Sequence, residues 1–211
     1  VFPLPNKIIL VLGGARSGKS RFAEELAQEL GGQVTYIATA EARDLEMAER
    51  IARHQASRPA AWKTIEAPLE LAEAIRTSAG ANVVIVDCVT LYLTNLMMRE
   101  LGPIGEAENP AIPLEVEAKI QTQITELIQA AKESSALIIL VANEVGLGLV
   151  PPFTLGRFFR DLAGRTNREI AAAADKVFLL TAGIAVELKA ISVTSRQASL
   201  EIKKQNYPLS P

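Results

Sequence analysis

Five short runs of apolar residues recur along the chain without polar alternation, at 8–12, 34–38, 83–86, 137–141 and 177–180. Unbroken runs of this length, rich in β-branched residues, predict strands buried on both faces. Between them the apolar spacing changes to that of helices. Residues 19–30 read as a helix that stops at Gly31-Gly32. Residues 44–57 form a polar helical pattern, and 68–78 start with Pro in the first turn. Leu114, Ile120, Ile124, Leu127, Ile128 and Ala131 mark a helix over 113–134. Phe159, Leu162, Ala163, Ile170 and Ala174 mark another over 154–174. Alternating strands and helices predict an α/β fold, a mainly parallel sheet with helices on both faces. Residues 102–113, with their Gly and Pro, read as a surface loop, and 185–191 and 199–202 as terminal strands. Neither an internal repeat nor a low-complexity segment interrupts the pattern.

Composition narrows the classes. A chain of 211 residues fits one domain. The 22 basic and 24 acidic residues leave a net charge of −2, which argues against a nucleic-acid partner. With one cysteine, Cys88, an internal disulfide is excluded, and with one histidine the usual zinc sites are too. A reducing, cytoplasmic setting is expected. No apolar run is long enough to span a bilayer, and the Pro-broken start, 1–6, is too short for a signal peptide.

The strongest chemical signal is Gly13-Gly14-Ala15-Arg16-Ser17-Gly18-Lys19-Ser20, a full G-x-x-x-x-G-K-[ST] match. It follows a predicted strand and opens a predicted helix, the context that lets backbone N–H groups and a helix N-terminus face phosphate oxygens. Lys19 is expected on the β- and γ-phosphates and Ser20 on Mg²⁺. Asp87, at the carboxyl end of the run 83–86, is the candidate second metal ligand. The competing reading makes Asp87 or Thr90 an N-cap of the next helix.

His54 lies among Arg50, Arg53 and Arg58. A neutral imidazole can attack phosphorus, but a histidine on a polar helix is more commonly a surface residue, and the residues alone favour that. The helix over 154–174 carries Arg157, Arg160, Arg165 and Arg168. Structural i,i+4 pairs, Arg157–Asp161 and Arg165–Glu169, are favoured there over a polyanion site. Asn143-Glu144 ends a strand at the edge where ligands bind, as site polarity or as plain loop polarity.

Together these residues resemble the bifunctional adenosylcobinamide kinase / adenosylcobinamide-phosphate guanylyltransferase family of cobalamin biosynthesis. The resemblance rests on the phosphate loop and Tyr36-Ile37-Ala38-Thr39. It continues through Glu46-Met47, Arg50-Ile51, His54, Arg58-Pro59 and Trp62. Further on it rests on Thr94-Asn95-Leu96, Asn143-Glu144-Val145-Gly146, Gly148-Leu149-Val150-Pro151 and Phe159-Arg160-Asp161 with Gly164 and Asn167. It covers roughly residues 7–190 of a single phosphate-loop domain over 1–211, with 191–211 an extension of no assigned role. It implies a RecA-like P-loop NTPase fold and two reactions. The first phosphorylates adenosylcobinamide with ATP or GTP. The second transfers GMP from GTP through a covalent histidine, which falls on His54, giving adenosylcobinamide-GDP. It also implies nucleotide contacts from the loop 13–20, Thr39, Gln55, Ala56, Ser57, Arg58, Glu66 and Asp87, and a homotrimer. Some relatives carry Glu in place of Asp87, and some a second histidine where this chain has Arg53, so the histidine here is unambiguous.

Overall fold

The computed structural model describes residues 8–42, 44–56, 58–102 and 111–204. Its strands are β1 (Ile8–Gly13), β2 (Val34–Ala38), β3 (Lys63–Glu66), β4 (Val83–Asp87), β5 (Leu137–Asn143), β6 (Lys176–Thr181) and β7 (Ile184–Glu187). They form one sheet in the order β3-β2-β4-β5-β1-β6-β7. Every pairing is parallel except β6 with β7. The helices are α1 (Lys19–Leu30), α2 (Leu45–Ala56), α3 (Leu71–Arg76), α4 (Val89–Leu101), α5 (Leu114–Glu133), α6 (Thr154–Ala173), α7 (Leu188–Ile191) and α8 (Ser195–Lys204).

Successive side chains of a strand point to opposite faces, and here each face has its own core. Ile8, Leu10, Val84, Val86, Ile138 and Leu140 pack under α3, α4, α5 and α6. Ile9, Val11, Val83, Ile85, Ile139 and Val141 pack under α1. That is why the central strands show no alternation: both sets of positions are buried. Helices therefore lie on both faces, as expected, but unequally, four on one side and α1 on the other.

The expected strands and the helices over 19–30, 113–134 and 154–174 are found within a few residues of their expected ends. The helix expected over 68–78 shrinks to α3. Three elements depart further from the sequence pattern. β3, Lys-Thr-Ile-Glu, pairs with β2 alone at the sheet edge, and its mostly exposed side chains leave no apolar run to read. The terminal strand expected over 185–191 ends at Glu187, where the chain turns into α7. The strand expected over 199–202 is overturned, because those residues lie inside α8. Thr194 and Gln197 explain the start of that helix. Gln197 N–H donates to Thr194 Oγ1 at 3.2 Å, and Thr194 N–H donates to Gln197 Oε1 at 2.7 Å. This reciprocal box satisfies two otherwise orphaned donors and opens a helix. Most of the loop expected over 102–113 lies outside the described residues.

Burial decides where substitutions matter. Ile124 on α5 is fully buried, whereas Leu114 at the start of the same helix is 90% exposed. Ile124→Ala is expected to cost about 2–5 kcal/mol of unfolding free energy, and Leu114→Ala no more than about 0.5 kcal/mol. Urea titrations of the two variants test this; equal losses would contradict the assigned core.

Candidate functional site

The loop 13–20 joins β1 to α1 at the carboxyl edge of the sheet. Its shape is set by what cannot fit. A Cβ on Gly13 would stand 2.5 Å from the Leu180 carbonyl oxygen and 2.5 Å from Ser17 Oγ, so glycine alone is tolerated. Arg16 at φ 56° and Gly18 at φ 97° occupy the left-handed region, a conformation found in the backbone nests that bind anions. Ser17 N–H donates to Gly14 O at 3.3 Å, and Gly183 N–H, from the β6–β7 turn, donates to Ser17 O at 3.0 Å. Lys19 is buried, and its Nζ donates to Gly14 O at 2.6 Å. Ser20 is half-buried, while Gly14, Ala15 and Arg16 are exposed. A cavity of about 390 Å³ opens beside the loop on the β6–β7 side, among Arg16, Gly18, Arg21, Phe22, Leu180 and Gly183.

Asp87 ends β4, and one strand, β5, separates it from β1. The N-cap of α4 is Cys88, whose sulfur accepts from Leu91 N–H at 3.4 Å, so Asp87 does not serve as the cap. Its carboxylate Oδ2 accepts from Tyr36 Oη at 2.6 Å. Thr39 is fully buried beneath the Asp87–Cys88 junction. Its hydroxyl donates to Cys88 O at 2.8 Å and accepts from Cys88 N–H at 2.7 Å, while its own N–H donates to Asp87 O. Asn95 on α4 holds the Thr39 carbonyl at 2.8 Å. Thr39 thus builds the floor of the site, with its hydroxyl committed in both directions. Burial first, and the Asp87 charge second, push the Cys88 thiol up to about 12, which keeps it from acting as a nucleophile.

A second set of polar groups lies on the α1 face. The Arg58 guanidinium carbon stands 3.5 Å over the Tyr36 ring centroid. Arg58 Nε and Nη1 and Glu24 Oε1 are buried without a hydrogen-bond partner. Burial, reinforced by Asp87, raises the Glu24 carboxyl above its ordinary range, and Arg58 offsets this in part. Tyr36 is pushed upward by burial and by Asp87, so its hydroxyl remains a donor. Sequence reading named Arg58 and Asp87 but missed Glu24 and the role of Tyr36. No local pattern marks either, because the strands bring them together.

On the other side of the loop, Glu144 N–H donates to Gly13 O at 2.9 Å. Asn143 N–H donates to Thr90 Oγ1 at 2.6 Å, and Asn167 Nδ2 donates to Asn143 O at 3.1 Å. The Asn143 peptide is thereby clamped between α4 and α6. Arg157, Arg160 and Arg165 of α6 have structural partners, though not the expected i,i+4 ones. Arg157 donates to the Pro152 carbonyl, Arg160 pairs with Asp161 at 3.3 Å, and Arg165 crosses to Glu117 of α5 at 2.8 Å.

His54, Gln55 and Ala56 lie in the last turn of α2, and Gln55 and Ala56 are exposed. None of the described side chains of α2 is buried. Glu66 is exposed at the end of β3, with Ala38 of β2 as its register partner. Ser57 lies outside the described residues. Thr39, Glu66, Asp87 and the loop 13–20 thus share the carboxyl edge of the sheet. Ser20 and Asp87 offer hydroxyl and carboxylate oxygens, the hard donors that suit Mg²⁺.

The raised Glu24 carboxyl has a consequence for stability. A carboxyl whose folded pKa lies above its unfolded value favours folding while it is protonated, below its ordinary 4.5. That contribution is lost as pH rises through the folded value. Glu24→Gln is therefore expected to melt above the parent chain at neutral pH, by up to about 4 °C, with the gap closing in acid. Thermal melts between pH 4 and pH 8 check this; a variant less stable at pH 8 would contradict it.

Comparison with known proteins agrees with this architecture. Residues 9–188 match the family described as "Cobinamide kinase / cobinamide phosphate guanyltransferase". The chain is 45% identical over 185 residues to the bifunctional adenosylcobalamin biosynthesis protein CobU of Escherichia coli, covering 86% of this chain and 99% of that protein. It is 45% identical over 181 residues to the bifunctional adenosylcobalamin biosynthesis protein CobP of Pseudomonas aeruginosa, covering 85% and 96%. A solved prototypical ATPase from the type III secretion system of pathogenic bacteria superposes with a TM-score of 0.50 at 14% identity, over 96% of this chain and 68% of that one. That likeness concerns the fold, which is that of P-loop NTPases. With the family match spanning β1 to β7, the chain belongs to the cobinamide kinase / cobinamide phosphate guanyltransferase family of enzymes.

Proposed function

We propose that the chain carries out both family reactions on one phosphate loop. It phosphorylates adenosylcobinamide with ATP or GTP, and it then moves GMP from GTP through a covalent His54 intermediate to give adenosylcobinamide-GDP. The observation that carries this reading is the glycine-dependent loop between β1 and α1, facing Asp87 across the sheet edge. The near-complete match to bifunctional relatives supports it.

In the first transfer the acceptor hydroxyl oxygen attacks the γ-phosphorus. The bond from that phosphorus to the β,γ-bridging oxygen breaks, the nucleoside diphosphate leaves, and the hydroxyl proton passes to water. Positioning supplies most of the rate in such a step. Lys19 exchanges the Gly14 carbonyl for phosphate oxygens, and the loop amides hold the charge in place. Ser20 and Asp87 hold Mg²⁺, which neutralises charge on the phosphates when bound.

In the second transfer a neutral His54 nitrogen attacks the α-phosphorus and pyrophosphate leaves. A phosphate oxygen of adenosylcobinamide phosphate then attacks the same phosphorus, the N–P bond breaks, and the imidazole is released. Gln55, Ala56, Ser57, Arg58 and Glu66 contact the nucleotide, Arg58 and Glu66 from the β2–β3 side. The helix α2 moves over the nucleotide for this step, a reading supported by its lack of buried side chains among those described. The chain works in the cytoplasm as a homotrimer of single phosphate-loop domains, with residues 191–211 outside the chemistry.

Trapping tests this directly. With Mg²⁺ and GTP labelled at the α-phosphate, acid-labile label is expected on the denatured protein, and none from GTP labelled at the γ-phosphate. His54→Ala is expected to lose the label while still phosphorylating cobinamide. Lys19→Ala is expected to slow both transfers by about 100-fold or more. Label retained by His54→Ala would move the nucleophile elsewhere.

A further inference from the structure

Tyr36 is 1% exposed within the core layer under α1. A buried tyrosine hydroxyl must find a partner, and here the partner is the carboxylate that ends β4. The 2.6 Å bond to Asp87 Oδ2 is charge-assisted, and bonds of that kind are about twice as strong as neutral ones. An aspartate carboxylate is otherwise a broad two-fold rotor. One anchored oxygen selects its orientation and leaves Oδ1 for a cation.

The same ring carries a second group. Arg58 lies over its face at 3.5 Å, with Nε and Nη1 buried and unpartnered, so the ring is a principal anchor of this guanidinium. Arg58 stands just past the end of α2 at Ala56, four residues after His54. Arg58 thereby joins the end of α2 to the ring whose hydroxyl holds Asp87.

We propose that Tyr36 is a positioning residue of the cation site: its hydroxyl fixes the Asp87 carboxylate for the metal, and Arg58, seated on its ring, ties the histidine-bearing helix to that carboxylate. This rests on the reading of Asp87 as a Mg²⁺ ligand. Partners of metal-ligating carboxylates matter by about 10–100-fold in affinity. Tyr36→Phe removes the hydroxyl alone and keeps the ring under Arg58.

The test uses Mn²⁺ in place of Mg²⁺, with the full chain and α,β-methylene-GTP, whose α-phosphorus keeps its bond to the β-phosphate, and reads free Mn²⁺ by electron paramagnetic resonance. Tyr36→Phe is expected to weaken Mn²⁺ binding about tenfold or more, with nucleotide binding in EDTA unchanged. Arg58→Ala is expected to weaken Mn²⁺ binding by about threefold to tenfold, between the scales of an exposed and a desolvated cation–π contact. If Asp87→Asn loses Mn²⁺ and Tyr36→Phe does not, the positioning role is overturned while Asp87 remains a ligand. If Asp87→Asn also binds Mn²⁺ like the parent, the reading of Asp87 fails and this proposal falls with it. Should Tyr36→Phe not melt cooperatively, Arg58→Ala decides, and parental Mn²⁺ affinity there overturns the tie to α2.

Discussion

No side chain can stand at position 13. β1 lies between β5 and β6, and at its last residue the neighbouring strand brings the Leu180 carbonyl to where a Cβ would be. The chain leaves the sheet there through left-handed turns at Arg16 and Gly18 and enters α1. Around that constraint everything else is arranged. Glu144 holds the Gly13 carbonyl from one side, and Gly183 holds the Ser17 carbonyl from the other. Asn143 is clamped by Thr90 and Asn167. These hydrogen bonds hold the loop in place from both sides, and a preorganised cradle is what transfer through charged transition states requires.

The unequal covering of the sheet gives the two faces different work. Four helices seal one face with an apolar core. The other face is covered by α1, and its β2 side carries the polar groups Glu24, Tyr36 and Arg58 beneath the site. Buried polar groups are costly unless satisfied, and Arg58 and Glu24 keep atoms unsatisfied. Such atoms belong where a ligand arrives, which supports the proposed seat of the nucleotide on this side.

Much of this was legible in the chain alone. The central strands read cleanly because burial on both faces removes alternation, and the loop read cleanly because glycine, lysine and serine stand at spacings the chemistry dictates. β3 was hidden because an edge strand with polar side chains has no apolar signature. The helix α8 was misread because Ser199 to Ile202 alternate in polarity like a strand, while the decisive Thr194–Gln197 box sits just upstream. Asp87 was found by its place after an apolar run, yet its partner Tyr36 is 51 residues away and only the β2–β4 pairing brings it near. His54 shows the opposite limit. The residues alone made it an ordinary surface histidine, and its proposed chemical role comes from the family resemblance.

In the proposed mechanism one loop serves two transfers, the second through a covalent histidine. The stereochemistry at the α-phosphorus separates this route from direct transfer. Each in-line displacement inverts that centre, so attack by His54 followed by attack of the corrinoid phosphate gives two inversions. With GTP made chiral by sulfur at the α-phosphate, the account expects adenosylcobinamide-GDP with net retention. Net inversion would mean a single direct displacement, and His54 would not carry the guanylyl group.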